Sequence, residues 1–306
     1  MSQAAFAAAD WGTTSFRLWA FSASGDVLGE ARGARGMASM ARADYPSVLE
    51  AALAEAGAGP QTPVVICGMA GAAQGWHEAA YIALPAGLTA IPEQAVTVPG
   101  VARDVRILPG LAQRPPGVPD VMRGEETLLL GLALNGAADG LICLPGTHSK
   151  WVRLEDGNVR RFSTAMTGEV YGLLSSQSVL KHYVQGAGTD GLSGLPEFRG
   201  AVREALAAPE ALLRALFTVR AGPLLLGAGE PDAVAARLSG LLIGAEIAGM
   251  KPTPGSEVTL VGSGALAASY EAALHVAGLR PEKRDAEALA IAGLYHAAGL
   301  LWPDRI

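Results

Sequence analysis

Cysteine is almost missing from this 306-residue chain. The two present, Cys67 and Cys143, cannot assemble a zinc site unaided or a disulfide scaffold. Each closes a short apolar run (64–66 and 141–142), as a small buried residue would. Charge is thin as well: Asp, Glu, Lys and Arg make up 17% of the chain, the net charge is −6, and no Lys/Arg run interrupts that balance. Nucleic acid is therefore not expected as a partner. No apolar stretch continues without a polar break for the length of a bilayer, and the N-terminus lacks the basic and apolar regions of a secretory signal. A cytoplasmic protein with no membrane partner is expected. The five histidines show no metal-ligand spacing. What remains is abundant: half of the residues are hydrophobic, many of them alanine. That is the composition of a tightly packed α/β chain, long enough for two modest domains.

The most informative stretch is Ala9-Asp10-Trp11-Gly12-Thr13-Thr14-Ser15-Phe16-Arg17. Residues 6–9 read as a strand, and Phe16, Leu18 and Ala20 alternating with Arg17, Trp19 and Phe21 read as a second. The turn between them is built of small residues whose backbone N–H groups can converge on an anion, with hydroxyls adding donors. Asp10, at the entrance to that turn, can hold a hydrated magnesium ion. Alone, the same turn is as readily an ordinary hairpin tip. A second copy changes the reading. Gly146-Thr147-His148-Ser149 follows another apolar strand (141–144), repeats the Gly-Thr-x-Ser spacing, and again leads into an amphipathic strand, a Gly/Asp turn and a third strand. The repetition predicts an internal duplication, with two anion-binding turns suited to a polyphosphate.

Between the copies, 45–56 has helical spacing with Val48, Leu49, Ala52 and Leu53 on one face, and 63–67 is a buried strand. Two glycine-bearing loops flank this pair, Arg32-Gly33-Ala34-Arg35-Gly36 and Gly68-Met69-Ala70-Gly71-Ala72-Ala73-Gln74-Gly75-Trp76. Three strands, a helix and a buried strand fit a ribonuclease-H-like half. The Pro/Gly-rich loop 109–119 marks the expected lobe boundary. Asp120 then reads as an N-cap before the helix 128–134, with Glu125 and Glu126 as first-turn acids. Helices are expected over 198–217, 231–250, 265–276 and 286–298, and a strand over 257–261. Gly262-Ser263-Gly264-Ala265-Leu266-Ala267 fits the dinucleotide fingerprint. A nicotinamide-dependent oxidoreductase is the rival reading from that motif; the alternative is that the same backbone presses on an adenine ring.

Laid out in this order, the motifs resemble those of the actin/hexokinase/heat-shock-protein-70 superfamily. Asp10-x-Gly12-Thr13-Thr14 is similar to its first phosphate motif, Gly146-Thr147 to its second and Val261-Gly262-Ser263-Gly264 to its adenosine motif. Pro145 stands where many members place an acidic residue, and Ser263 where a second glycine is common. More narrowly, the chain resembles the 2-dehydro-3-deoxygalactonokinase family from end to end. The resemblance rests on Asp10 to Arg17, Gly68-Met69-Ala70-Gly71 with Gln74-Gly75-Trp76, Met122-Arg123-Gly124-Glu125-Glu126, Leu144 to Trp151, and Met166-Thr167-Gly168-Glu169.

The resemblance implies two duplicated ribonuclease-H-like α/β lobes of the actin-like ATPase fold, with a nucleotide/sugar cleft between them. The expected lobes are 1–119 with the C-terminal helix 285–306, and 120–284. It implies ATP- and Mg2+-dependent phosphorylation of the C6 hydroxyl of 2-dehydro-3-deoxy-D-galactonate, a small-molecule sugar acid; the sequence leaves a homodimer open. An actin-fold ATPase or sugar-binding regulator without transferase activity is the alternative. Asp10 is the expected metal ligand. Gly12, Thr13, Thr14, Arg17, Gly146, Thr147, His148, Gly262, Ser263 and Gly264 are the expected nucleotide contacts. Arg35, Gly36, Gln74, Trp76 and Arg123 are candidates for the sugar acid, with the choice of arginine for its carboxylate open and a core position equally open for Trp76. Related sugar kinases place the general base in a Gly-Asp-Gln segment before the second phosphate turn. Gly124-Glu125-Glu126 occupies that place, so Glu125 is the expected base and Asp120 its competitor, with Glu126 facing elsewhere.

Overall fold

The computed structural model describes residues 4–114, 118–227 and 229–306. Its opening hairpin forms where the sequence places it, but it is buried on both faces rather than on alternate residues. In β1 (Phe6–Trp11) and β2 (Phe16–Phe21) nearly every side chain is buried. β3 (Val27–Gly33) continues the meander, and α1 (Tyr45–Glu55) covers it with Tyr45, Val48, Leu49, Ala52 and Leu53. β4 (Val64–Gly68) is buried throughout. The two-residue strands β5 (Ile82–Ala83), β6 (Ala86–Gly87) and β7 (Val96–Thr97) precede β8 (Val105–Ile107), β9 (Leu111–Gln113) and β10 (Asp120–Met122). The first sheet has the order β3-β2-β1-β4-β8-β7. Its register sets Asp10 opposite Arg17 on β2 and beside Cys67 on β4.

Helix α2 (Glu125–Leu134) begins at Glu125, behind Gly124 at φ 106°. Asp120 is therefore not its N-cap; it lies in β10, paired with Gln113 of β9. A helix start at φ > 0 requires glycine, and this one displaces the expected start by three residues.

The second sheet is built from β11 (Gly140–Leu144), β12 (Ser149–Glu155), β13 (Asn158–Ala165), β14 (Glu257–Val261) and β15 (Arg280–Arg284). Within its order, β15-β14-β11-β12-β13-β6, the first five strands repeat the first sheet's β8-β4-β1-β2-β3, and β6 adds an edge beside β13. The duplication expected from the two Gly-Thr turns is thus carried by topology. β11 and β14 run parallel, as β1 and β4 do. β15 was not expected from sequence: Arg-Pro-Glu-Lys-Arg has no apolar alternation, yet it pairs in parallel along all of β14.

The helices of this half are α3 (Thr167–Gln177), α4 (Lys181–Val184), α5 (Pro196–Ala207), α6 (Leu212–Leu226), α7 (Pro231–Met250) and α8 (Gly264–Val276), and α9 (Ala286–Leu301) closes the chain. The single helix expected over 198–217 is two, because Pro209 cannot continue α5. Among the described residues α7 is, by length and composition, one helix that could cross a bilayer; it is instead the buried core helix of the second half, and it carries Glu246.

The chain divides into two compact units, 1–139 with 154–161 and 286–306, and 140–153 with 162–285. The first extends past the Pro/Gly loop where the boundary was expected, because α2 packs on α9. A Cβ on Gly131 would overlap the carbonyl of Leu289, and one on Gly293 the carbonyl of Thr127, so these helices meet backbone to backbone.

Candidate active site

In the first unit, the Gly12 N–H donates to the Ser15 carbonyl at 2.9 Å, closing the first Gly-Thr turn. Thr13, Thr14 and Ser15 are exposed, so their hydroxyls are available to a ligand. The loop after β3 straps the turn from behind: the Met37 N–H donates to Gly12 O (3.0 Å) and the Ala38 N–H to Thr13 O (2.9 Å). Gly36 sits so close that a Cβ there would overlap the Thr13 carbonyl and the Thr14 nitrogen. Its place in the site is to let two backbones touch. The Trp11 indole N–H donates to Arg35 O at 2.9 Å, which pins the Arg35 backbone while its side chain stays exposed.

Asp10 ends β1 beside this turn. Burial raises its carboxyl above the usual range and the Glu125 charge adds to that, while Arg17 and a hydrogen bond from the Cys67 thiol oppose it. That thiol lies 3.8 Å from Asp10 Oδ1. Gly68 (φ 88°) and Gly124 keep the surrounding backbone close: a Cβ on Gly68 would lie 2.6 Å from Trp11 O and 3.3 Å from Asp10 Oδ1, and one on Gly124 would lie 3.4 Å from Gly68 Cα. Two acidic groups sharing a desolvated place are what a divalent cation would neutralise. Among the described residues no cluster of three or more His, Cys, Asp or Glu could hold a metal. Mg2+ does not require one, since it keeps several waters and binds through one or two carboxylates plus substrate phosphates. The donor set therefore fits a magnesium ion that arrives on a nucleotide.

The two acids at the head of α2 differ. Glu125 is half-buried, and its Oε2 accepts the Arg123 N–H at 3.1 Å. Glu126 does face elsewhere, as expected, but into the core. It is fully buried, both its oxygens lie 2.8 Å from the Gly124 N–H, and burial followed by the Glu125 charge pushes its carboxyl up to about 8. A carboxyl whose folded value lies above its ordinary 4.5 holds a proton in the folded state that the unfolded chain has released. Stability is thus full below about 4.5 and is lost as pH rises toward 8, by up to ~1.4 kcal/mol per pH unit. Glu126→Gln, which keeps the neutral shape, should flatten this fall and melt higher than wild type above pH 8. Equal pH slopes for both proteins in thermal melts would refute a neutral Glu126.

The remaining first-unit candidates are distributed unevenly. Gln74 is exposed on its loop, which Arg42 secures through Gly75 O (3.0 Å) and Ala73 O (2.7 Å). Trp76 packs with Tyr45 (ring centroids 5.7 Å) and Trp11 (6.3 Å) and is buried; the expectation of a sugar-facing indole gives way to a core residue that shapes the loop. Arg123 is buried too, with Nη2 donating to Ala79 O at 2.7 Å and its guanidinium 4.3 Å above the Tyr81 ring. Arg17 pairs with Glu287 at 3.4 Å, and Arg32 with Glu30 and Glu287.

In the second unit, the Gly-Thr turn repeats the strap. The Glu169 N–H donates to Thr147 O at 2.9 Å, and a Cβ on Gly168 would overlap the Gly146 carbonyl. Thr147 and His148 are exposed, and His148 Nε2 lies 2.5 Å from Glu169 Oε2. Ser149 departs from its counterpart Ser15. It is buried, its hydroxyl donating to Glu246 Oε2 (3.1 Å) and sharing a 2.7 Å hydrogen bond with the Tyr270 hydroxyl.

Gly262-Ser263-Gly264 turns from β14 into α8, with Gly262 closed against Ala267 and Pro145, and Gly264 at φ 65°. β14, α8 and β15 do form the local strand–helix–strand of a dinucleotide site, but β14 joins β11 in the duplicated sheet. Beside this turn lies an apolar cavity of about 200 Å3, lined by Tyr171, Leu242, Ile243, Ala265, Leu266 and Ser269 among others. The sequence could not signal this cavity, since its walls come from α3, α7 and α8.

Known proteins share this arrangement over the whole chain. The family model for 2-keto-3-deoxy-galactonokinase matches residues 10–297. A probable 2-dehydro-3-deoxygalactonokinase of Rhizobium meliloti (strain 1021) is 49% identical over 301 residues, covering 97% of this chain and 98% of the relative. A 2-dehydro-3-deoxygalactonokinase of Escherichia coli (strain K12) is 36% identical over 278 residues, covering 90% and 91%. A crystal structure from Sinorhizobium meliloti, of a protein assigned as a 2-dehydro-3-deoxygalactonokinase, superposes with TM-score 0.91 at 48% identity, over 97% of this chain and 99% of that one. With its two strapped Gly-Thr turns on duplicated sheets and a match running from Asp10 almost to its end, the chain belongs to the 2-keto-3-deoxy-galactonokinase family.

Proposed function

We propose that the protein transfers the γ-phosphoryl group of ATP to the C6 hydroxyl of 2-dehydro-3-deoxy-D-galactonate, giving the 6-phosphate and ADP. The observation that carries this reading is the pair of strapped Gly-Thr turns, each with exposed hydroxyls, one of them beside the Asp10–Glu125 pair. On the first unit, Gly12, Thr13 and Thr14 offer donors to the phosphoryl group, and Glu125 takes the proton from the C6 oxygen as that oxygen bonds phosphorus and ADP leaves. Asp10 would hold the magnesium ion, which would supply charge neutralisation on the phosphates. On the second unit, Gly146, Thr147 and His148 bind phosphate, and the Gly262–Gly264 backbone with the adjoining apolar cavity receives the adenine. Arg17, engaged by Glu287, orders the first turn's strand.

The sugar acid's carboxylate calls for a forked cation. Arg17 and Arg32 are paired with Glu287, and Arg123 is buried with one nitrogen, Nη2, on Ala79 O, whereas the Arg35 guanidinium is exposed on a backbone pinned against the first turn. Arg35 is therefore assigned to the carboxylate, with the Gly36 backbone and Gln74 facing the hydroxyls. A coupled ADP-release assay across hexoses, hexonates and 2-keto-3-deoxy sugar acids tests the reading. Turnover should require Mg2+ and favour 2-dehydro-3-deoxygalactonate. Arg35→Gln should raise KM for the sugar acid by ~10–150-fold, the loss of one charged hydrogen bond of about 1.5–3 kcal/mol, and leave KM for ATP alone. Rapid turnover of neutral hexoses with the sugar acid ignored would overturn the substrate. An unchanged sugar-acid KM in the variant would overturn the role of Arg35.

A further inference from the structure

We propose that Glu169 is a positioning residue that orients the His148 imidazole toward the nucleotide phosphates at the second Gly-Thr turn; this rests on the reading of that turn as a nucleotide site. His148 stands at the tip of the turn, between exposed Thr147 and buried Ser149, and is itself about half exposed. Its Nε2 is 2.5 Å from Glu169 Oε2. Glu169 reaches it from the first turn of α3, where two further contacts fix its place. Its own backbone N–H donates to Thr147 O at 2.9 Å, and Gly168 lies against the Gly146 carbonyl without room for a side chain. One residue thus grips the turn by main chain and side chain together. The His148 carbonyl is held in turn by the Lys150 ammonium at 3.0 Å, so the backbone beneath the imidazole is fixed as well.

A carboxylate accepting from Nε2–H fixes the plane of the ring, and a phosphate oxygen on the opposite edge is met by Nδ1 only as a donor, so the ring lying between the two anions carries a proton on each nitrogen. An exposed ion pair in water adds little to folding, so stability does not account for a pair built with this backbone support. The cavity beside Gly262 is lined in part by Thr167 and Gly168, the two residues preceding Glu169. α3 therefore presents its first turn to both the cavity and the phosphate turn. First-turn N–H groups of α3 add to the attraction for an anion.

The test is a double-mutant cycle read by calorimetric binding of Mg2+–ADP to the full chain, with steady-state KM values for ATP and for the sugar acid. His148→Ala should weaken ADP binding by about tenfold, the worth of one hydrogen bond to a charged group. Glu169→Ala should weaken it by a similar factor in the wild-type background and by less than twofold in the His148→Ala background, because it acts through the imidazole. Glu169→Gln, whose amide oxygen still accepts from Nε2–H, should recover much of the loss. The sugar-acid KM and the melting temperature should stay near wild type in all variants. Additive effects of the two alanine substitutions, or unchanged ADP binding in Glu169→Ala, would overturn the proposal while leaving the nucleotide site intact. Absence of ADP binding to the wild-type protein would overturn the nucleotide reading itself.

Discussion

Glu125→Gln is expected to lower kcat by about 10²–10⁴, the usual contribution of a positioned general base, while the protein melts near the wild-type temperature. The argument is local. Glu125 is the first residue of α2, half-buried, and close enough to Asp10 for its charge to raise the Asp10 carboxyl. Gln is nearly isosteric, and its amide oxygen can still accept the Arg123 N–H that now meets Oε2 at 3.1 Å, so the head of the helix should keep its shape. Only the capacity to take a proton is removed. Asp120 is the control: it sits in a strand, and its Oδ1 accepts the N–H of the next residue, Val121, at 2.8 Å. Asp120→Asn should therefore keep turnover within a few fold. Steady-state kinetics from a coupled ADP assay, with melts of both variants, decide the matter. If Asp120→Asn is the inactive protein and Glu125→Gln turns over normally, the base is Asp120.

The parts of this molecule that could be read from sequence are those whose signal is short-range. Period-two alternation and a small-residue turn define the β1–β2 hairpin, and the same spacing at Gly146 exposes the duplication before any topology is known. What escaped depends on distant partners. Arg-Pro-Glu-Lys-Arg becomes β15 only because β14 offers it an edge. Trp76 is core because Trp11 and Tyr45, far away in sequence, wait for it. Asp120 has a side chain that suits a helix cap, whereas the helix start is decided by Gly124, the residue able to reach φ 106°. Two acids are the hardest case. Glu126 and Glu246 have the residue type of a solvated surface; the apolar run 240–250 around Glu246 does signal burial, but nothing within a few positions of it names the groups that hold its charge. Glu126 is held by the backbone turn preceding α2, and Glu246 by donors 24, 95 and 97 residues away.

Glu246→Ala is accordingly expected to be the most damaging single change to stability. Its Oε1 accepts the Trp151 indole N–H at 2.7 Å, and its Oε2 accepts the Tyr270 hydroxyl at 2.7 Å and the Ser149 hydroxyl at 3.1 Å. All four residues are buried. Burial, reinforced by the Glu246 charge, keeps the Tyr270 phenol well above its ordinary value and therefore a donor. Truncation to alanine would leave the Trp151 N–H and one of the two hydroxyls without an acceptor, the other hydroxyl turning into the 2.7 Å Ser149–Tyr270 contact, at about 1–3 kcal/mol each, for a loss of roughly 2 kcal/mol or more. At about 2–4 °C per kcal/mol for a chain of this size, the melting temperature should fall by ~4 °C or more. Function should suffer with it, because Ser149 ends the second Gly-Thr turn and Tyr270 lines the apolar cavity. Mg2+–ADP affinity should drop even at temperatures where the variant is folded. Glu246→Gln should be milder: its amide oxygen can serve the Trp151 N–H, and its NH2 can donate to the two hydroxyls, which are able to turn and accept while the indole cannot. Melts and ADP titrations on both variants check this. A Glu246→Ala protein that melts within a degree or two of wild type, or one no less stable than Glu246→Gln, would mean that the three donors find other partners and that the second turn does not rest on this carboxylate.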